Sequence, residues 1–167
     1  MKKLILFLSF ITLTSVNAQK IDYKVKPKEI VAENNVFEVS GKTATELYQL
    51  TTKWISSKYK NPSKVIGFNN ENTNIGVKHF FDINTQYTSP NRIKVKYNMQ
   101  FDFKDEKVRI TFTDIEDTYG TKYSKFFDEY GSPKKSKSVQ KSINTLESYV
   151  SKFVDDYVAY LQKGTDW

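Results

Sequence analysis

Ile93-Lys94-Val95-Lys96-Tyr97-Asn98-Met99-Gln100-Phe101-Asp102-Phe103 is the stretch that decides the fold. Apolar and polar residues alternate through it, which sends Ile93, Val95, Tyr97, Met99, Phe101 and Phe103 to one face of a strand and the polar residues to the other. Lys104-Asp105-Glu106-Lys107 turns the chain. Val108, Ile110 and Phe112 then oppose Arg109, Thr111 and Thr113. Two successive half-buried strands with a short polar turn are an antiparallel hairpin, with one face toward a core and one toward water.

Upstream, the period of two already runs from residue 63. It predicts a short strand over 64–68, a polar turn over 69–74, and a strand over 75–83 carrying Ile75, Val77, His79 and Phe81 on one face. Further back the period is helical. Thr43-Ala44-Thr45-Glu46 is a capping box, and Ala44, Leu47, Tyr48, Thr51, Trp54 and Ile55 form the buried stripe of a helix over 44–59, stopped by Asn61-Pro62. Val36 to Val39 alternates as a first strand, ended by Ser40-Gly41.

Downstream, residues 116–137 keep no period yet hold Tyr119, Tyr123, Phe126, Phe127 and Tyr130 among turn residues Gly120, Gly131 and Pro133. A long helix over 138–163 follows, with Ile143, Leu146, Val150, Phe153, Val154, Tyr157 and Leu161 as its apolar stripe, Lys163 at its negative end and Gly164 past it. Such a helix extends about 39 Å, long enough to cross a sheet. The order β-α-β-β-β-β-α makes this an α+β domain over 36–163, with an antiparallel sheet of about five strands and two helices packed on one face.

The beginning of the chain has a different character. Lys2 and Lys3 precede an apolar run over 4–13, and Val16-Asn17-Ala18 supplies small residues for cleavage. This is the pattern of a secretory signal peptide over 1–18, cut after Ala18, and the run is too short for the roughly 20 residues of a membrane span. A periplasmic or secreted protein with no membrane span after cleavage is the expectation. Residues 19–35, with Lys20, Lys24, Lys26, Pro27 and Lys28, read as an exposed polar lead-in arm.

Composition limits the chemistry. The 167 residues hold 26 Lys+Arg against 19 Asp+Glu, one histidine and no cysteine. Thiolate zinc sites, iron–sulfur clusters, disulfides and cysteine nucleophiles are therefore excluded, as is any site needing two imidazoles of this chain. No G-x-S-x-G, P-loop or G-x-G-x-x-G pattern occurs. Asp155 and Asp156 are adjacent on a helix and do not face each other, so a solvated face is the plainer reading. Asp114, Glu116 and Asp117 lie at a strand end without the glycine-bearing calcium loop. His79 shares an apolar face and reads as a structural histidine more readily than a catalytic one. No cofactor or metal is expected.

Two surfaces remain for binding. Lys94, Lys96 and Arg109 should lie together on the polar sheet face, with Lys78 nearby, as a basic patch for an anionic partner; lysines that only keep a sheet soluble are the plainer alternative. That face lacks the interleaved aromatics of single-strand nucleic-acid binders, and no nucleic acid is expected. The second is the aromatic loop, with Tyr119, Tyr123, Phe126, Phe127 and Tyr130, which serves either an interface or a lid on the sheet.

With Glu46-Leu47 and Trp54-Ile55 in the first helix, Val65-Ile66, Gly76, and Tyr97…Phe101…Lys104-Asp105 running into Val108-Arg109, the chain resembles a group of secreted Gram-negative domains of unknown function with a TATA-box-binding-protein-like (TBP-like) fold. The resemblance spans residues 36–115 with the C-terminal helix beyond, and Glu106 replaces the glycine more usual at the turn. It implies a fold and export, with no activity and no site residues to carry over. The fold's nucleic-acid binding does not follow, since function belongs to sites.

The expectation is an exported, non-catalytic binding module whose partner is an envelope protein or an anionic envelope component. It would recognise that partner through the 116–137 loop or the groove between sheet and C-terminal helix. A helix-grip carrier with an apolar cavity lined by Tyr97, Phe101 and Phe112 is the alternative. A hydrolase using His79 in an open cleft beside a carboxylate is the remaining one.

Overall fold

The computed structural model describes residues 22–27, 29–84, 92–117 and 126–163. The signal-peptide reading of 1–18, and Tyr119, Tyr123 and Gly164, lie outside these residues. The described elements are β1 (Lys24–Val25), β2 (Ile30–Val31), β3 (Val36–Glu38), α1 (Ala44–Lys58), α2 (Pro62–Val65), β4 (Ile66–Asn70), β5 (Asn74–Asn84), β6 (Arg92–Lys104), β7 (Lys107–Asp117) and α3 (Lys137–Lys163).

The fold is α+β, as expected, but the sheet has seven strands in place of about five. Its order is β1-β2-β7-β6-β5-β4, with β3 also pairing β7. All pairings are antiparallel. The alternating stretch forms the centre: Val95, Tyr97, Met99 and Phe101 of β6 and Val108, Ile110 and Phe112 of β7 are all buried. Pro62 opens α2, where its missing N–H costs nothing, and this helical turn delays β4 to Ile66.

Both long helices cover the same face. Trp54 of α1 meets Phe101 of β6 edge-on at 6.2 Å and Tyr157 of α3 at 4.8 Å. Thr51, buried in α1, donates to the Leu47 carbonyl at 2.7 Å and accepts from the Tyr157 hydroxyl at 2.6 Å, so the polar groups at the helix–helix joint satisfy each other. Burial holds the Tyr157 hydroxyl protonated far above the usual tyrosine range.

The β6–β7 hairpin is fastened to the start of α1. Glu106 has φ +59, the backbone that glycine adopts most cheaply. It holds this conformation because its carboxylate accepts from the Gly41 N–H at 2.8 Å while its own N–H donates to the Lys42 carbonyl at 2.7 Å. Asp105 accepts from the Ala44 N–H at 2.8 Å, beside the capping box of Thr43 and Glu46. The acidic turn thus satisfies donors that a helix start leaves unpaired.

The stretch expected to be an exposed lead-in arm is, over its described part, built into the sheet. Tyr23, Val25 and Ile30 are buried at 2%, 6% and 3% exposure. β2 pairs β7 through Ile30 and Phe112, and β1 pairs β2. On its other side β1 meets α3: the Tyr23 N–H reaches Ser151 Oγ at 3.5 Å, and the Val25 N–H donates to Glu147 Oε1 at 3.1 Å. Four helix residues rise about 6 Å and two strand residues about 6.8 Å, so side chains at i and i+4 of α3 match alternate N–H groups of an antiparallel strand.

Candidate functional site

The carrier geometry was placed at Tyr97, Phe101 and Phe112, and those rings are packed against other rings. Tyr97 stacks on Phe81 at 4.1 Å and meets Phe112 at 5.8 Å, Phe112 meets Tyr23 at 5.7 Å, and Phe101 meets Tyr157 at 4.9 Å. Each is at most 3% exposed. Among the described residues, the space reserved for an apolar ligand is occupied by Tyr23 and by the helix aromatics.

His79 points with Ile75, Val77 and Phe81 toward the helix side and is half-buried at the edge of the core. Its imidazole lies among rings: Tyr59 at 4.7 Å, Phe80 at 4.6 Å and Tyr97 at 6.5 Å. Burial lowers its pKa and favours the neutral ring. The nearby Tyr59 and Tyr97 hydroxyls bond each other at 3.1 Å, and burial raises both phenols. The neighbours recorded for His79 among the described residues are aromatic; the carboxylate partner that the hydrolase reading places beside it is not among them.

The basic face is divided by its own register. Arg109 lies opposite Asp102 and pairs with it at 3.0 Å, and Gln100 donates to the other oxygen of the same carboxylate at 2.6 Å. Lys96 lies opposite Glu116, six residues along β6 from Asp102, which is about 20 Å of strand. Lys94 reaches over the Phe80 ring at 4.7 Å. Of the three cations expected to lie together, Lys94 and Lys96, two residues apart, thus stay together on the outer face of β6, while Arg109 lies well along the sheet beside Asp102. Asp114 is a further acid of this face: φ +49 makes it the extra residue of a bulge, so that Thr113 and Asp114 both face outward, and its carboxylate accepts from Asn98 at 2.6 Å. The outer face also carries Phe68, whose ring covers Gly76 so closely that a Cβ at position 76 would collide with it.

The aromatic loop separates into anchors and a tip. Phe126 and Phe127 are each 5% exposed and belong to the core, which corrects their assignment to an interaction surface. Between them and α3 the chain makes a braced turn. Asp128 Oδ1 accepts from the N–H groups of Tyr130 at 3.0 Å and Ser132 at 2.8 Å, and the Asp128 N–H donates to the Ser132 carbonyl at 2.9 Å. Gly131 has φ +78, which allows the reversal. The Lys134 N–H donates to the Phe126 carbonyl at 2.9 Å, and Phe127 bridges Pro133. Tyr130 stands at the tip of this turn, 85% exposed. The sequence signal for that tip was the Asp-x-x-Gly spacing of residues 128–131, in which an aspartate binds the backbone two residues on.

Sequence reasoning also missed a polar cleft of about 470 Å³ between β1 and α3, lined by Asp22, Lys24, Glu147, Ser151, Lys152 and Asp155. Lys24 pairs with Glu147 at 3.4 Å. The Tyr23 hydroxyl is buried nearby with no hydrogen-bond partner among the described residues, and burial together with the Asp155 charge raises its pKa. Charges of both signs line the cleft, as in a seam between two elements. No group of three or more histidine, aspartate or glutamate side chains among the described residues is placed to hold a metal ion.

A family profile described as a domain of unknown function (DUF4468) with TBP-like fold matches residues 34–117, half of the chain. The chain belongs to this family. Among solved structures, a TBP-like protein from Parabacteroides distasonis ATCC 8503 is similar with a TM-score of 0.59 at 17% identity, over 77% of this chain and 90% of that one. A DUF4468 family protein from Bacteroides ovatus ATCC 8483 gives 0.54 at 17% identity, over 90% of this chain and 94% of that one. At that identity the likeness speaks for fold alone. No curated protein matches. The DUF4468 match covers β3 through β7; β1, β2, the Tyr130 turn and α3 lie outside it.

Proposed function

We propose that this DUF4468 protein is a small exported binding module without catalytic activity, and that it recognises its partner through the turn carrying Tyr130. What supports export is the Lys2-Lys3, apolar 4–13 and Val16-Asn17-Ala18 pattern. The observation that carries the recognition surface is a tyrosine 85% exposed on a turn with little freedom left to lose. Asp128 binds two of the turn's N–H groups, and buried Phe126 and Phe127 hold its base. An aromatic presented in advance contributes contact area at small ordering cost.

The test is a photo-crosslinking amino acid placed at position 130 in the native host. A discrete adduct at this position, and none with the probe at Lys152 on the far part of α3, is the expected result. Equal labelling from both positions, or from neither, would remove the turn from consideration. Phe126→Ala and Phe127→Ala do not serve as interface variants, because truncating a buried phenylalanine costs about 3–5 kcal/mol of fold stability.

A further inference from the structure

We infer that the outer face of the sheet around Phe68 is a platform for a neutral polysaccharide with a flat, extended chain. This goes beyond the Tyr130 reading and uses another part of the molecule. Gly131, beside that tyrosine, lies against Pro27, next to β1, whereas Phe68 stands on β4 at the other edge of the sheet.

The backbone presents the Phe68 ring. Its partner in the ladder is Gly76. A Cβ on Gly76 would meet the ring at Cε1 first and stand 2.5 and 2.6 Å from the adjacent Cδ1 and Cζ. So short an approach to both neighbours puts that point over the ring plane and not beyond its edge. The ring therefore lies face-down on the glycine, and covering the sheet there occupies one of its two faces. The other face is turned outward, and the residue is 42% exposed. Phe80, another exposed ring of this side, has Lys94 Nζ over it at 4.7 Å. No ring or cation lies over Phe68 among the described residues.

Register surrounds this ring with planar polar groups. In its own row across the sheet stand Gly76, Gln100 and Thr111. The row toward the β6–β7 hairpin holds Asn74, Asp102 and Arg109, and the row on the other side holds Lys78, Asn98 and Asp114. Gln100 donates to Asp102 at 2.6 Å, Arg109 Nε to Asp102 at 3.0 Å, and Asn98 to Asp114 at 2.6 Å. These bonds fix the side chains and leave the Gln100 and Asn98 carbonyl oxygens and the terminal nitrogens of Arg109 without a partner among the described residues. Groups held in advance lose little freedom on binding.

Charge selects the partner. The chain carries +7, yet in these rows Arg109 is met by Asp102 and Lys78 is balanced by Asp114, so the platform is neutral. An acidic polymer would find no excess of cations on it, and an apolar protein surface would meet one ring set among amides. A pyranose has C–H groups on its faces and hydroxyls around its rim. Set on Phe68, it places C–H against the electron-rich ring face, while Gln100, Asn98 and Arg109 reach its hydroxyls. From Phe68 to Thr111 the row crosses three strand spacings, about 14 Å, which is more than one sugar ring. A β-1,4-linked ribbon lies flat along such a row, and a coiled α-1,4-linked chain does not.

Isothermal titration of the protein purified from its own host tests this, with cellohexaose and mannohexaose as β-1,4-linked probes and maltohexaose as the α-1,4-linked one. Binding of at least one β-linked probe and little of maltohexaose is expected. The affinity should be unchanged between about 0.1 M and 1 M salt, although the screening length falls from about 10 Å to about 3 Å. Phe68→Leu keeps Gly76 covered but removes the ring face, and should weaken binding about ten-fold or more. Phe68→Tyr keeps the face and should bind within about two-fold of the parent. Gln100→Ala leaves the ring and Gly76 in place, should keep the parent's thermal midpoint, and should weaken binding about five-fold. It decides the matter even where Phe68→Leu does not fold.

Absence of binding to both β-linked probes would overturn the assignment, as would equal binding of maltohexaose or loss of binding in high salt. So would an unchanged affinity in folded Phe68→Leu or in Gln100→Ala. Phe68 would then stand as the cover of Gly76 alone, and the crosslinking result at position 130 would be unaffected.

Discussion

The two edges of the sheet are protected in different ways. At one edge, β1 is two residues long, and the N–H groups of Val25 within it and Tyr23 just before it face Glu147 and Ser151 of α3. At the other, β4 covers β5 only as far as Val77, and the remainder of β5 carries exposed Lys78 and Phe80 with no further strand beside it among the described residues. An unpaired edge invites another strand, and charge or a covering helix prevents it. The first edge is closed by specific hydrogen bonds and the second by a strand that covers part of it and by a lysine on the rest. Closing an edge with directional bonds ties it to overall stability, whereas charging one leaves it almost independent.

Four experiments bear on that contrast. Deleting residues 22–31 removes buried Tyr23, Val25 and Ile30 and should cost more than about 5 kcal/mol, enough to abolish cooperative unfolding in a denaturant titration. A retained transition with an unchanged midpoint would return this stretch to the status of a loose arm. Next in size, Glu147→Ala leaves the Val25 N–H without its acceptor and should lower stability by about 1–3 kcal/mol. Lys78→Ala at the open edge should stay within about 0.5 kcal/mol while increasing self-association measured by light scattering. Equal stability losses at the two edges would erase the distinction.

Tyr23→Phe removes the buried hydroxyl that has no partner and should raise the midpoint, with a gain of about 1 kcal/mol. A loss would mean that the hydroxyl is satisfied by buried water. The smallest effect is expected at the capping box, away from both edges. The Thr43 backbone and side-chain bonds hold the Glu46 carboxyl below its usual range. The folded state therefore binds fewer protons there, and the contribution is present above about pH 4.3 and fades as pH falls through the depressed value. A shallower acid limb for Glu46→Gln than for the parent, followed by thermal midpoints across that window, checks the sign.

What the sequence disclosed divides along physical lines. Alternation over 93–113 needed no partner to be recognised, because each strand buries one face whatever lies beside it, and the helices declared themselves through the Thr43–Glu46 box and the stripe ending at Leu161. β1 and β2 were invisible: two residues carry no period, and the groups that hold β1 are on α3. The separation of Arg109 from Lys94 and Lys96 depended on register, which places Asp102 against Arg109 and Glu116 against Lys96. Phe126 and Phe127 were aromatic in an aperiodic stretch, and nothing local distinguishes an anchor from a tip there. Only Tyr130, carried between Asp128 and Gly131, had a readable turn chemistry.

The bonds from β1 to α3 join residues 122 to 128 positions apart. Loops of that length close late, since their entropy is lost before the contact rewards it. The sheet centre, made of hairpins, can assemble from neighbours, but the Tyr23 and Val25 N–H groups find Ser151 and Glu147 only when α3 is available. During synthesis the earliest-made strand of the described fold gains its outer hydrogen-bond partners only when the last helix has been made.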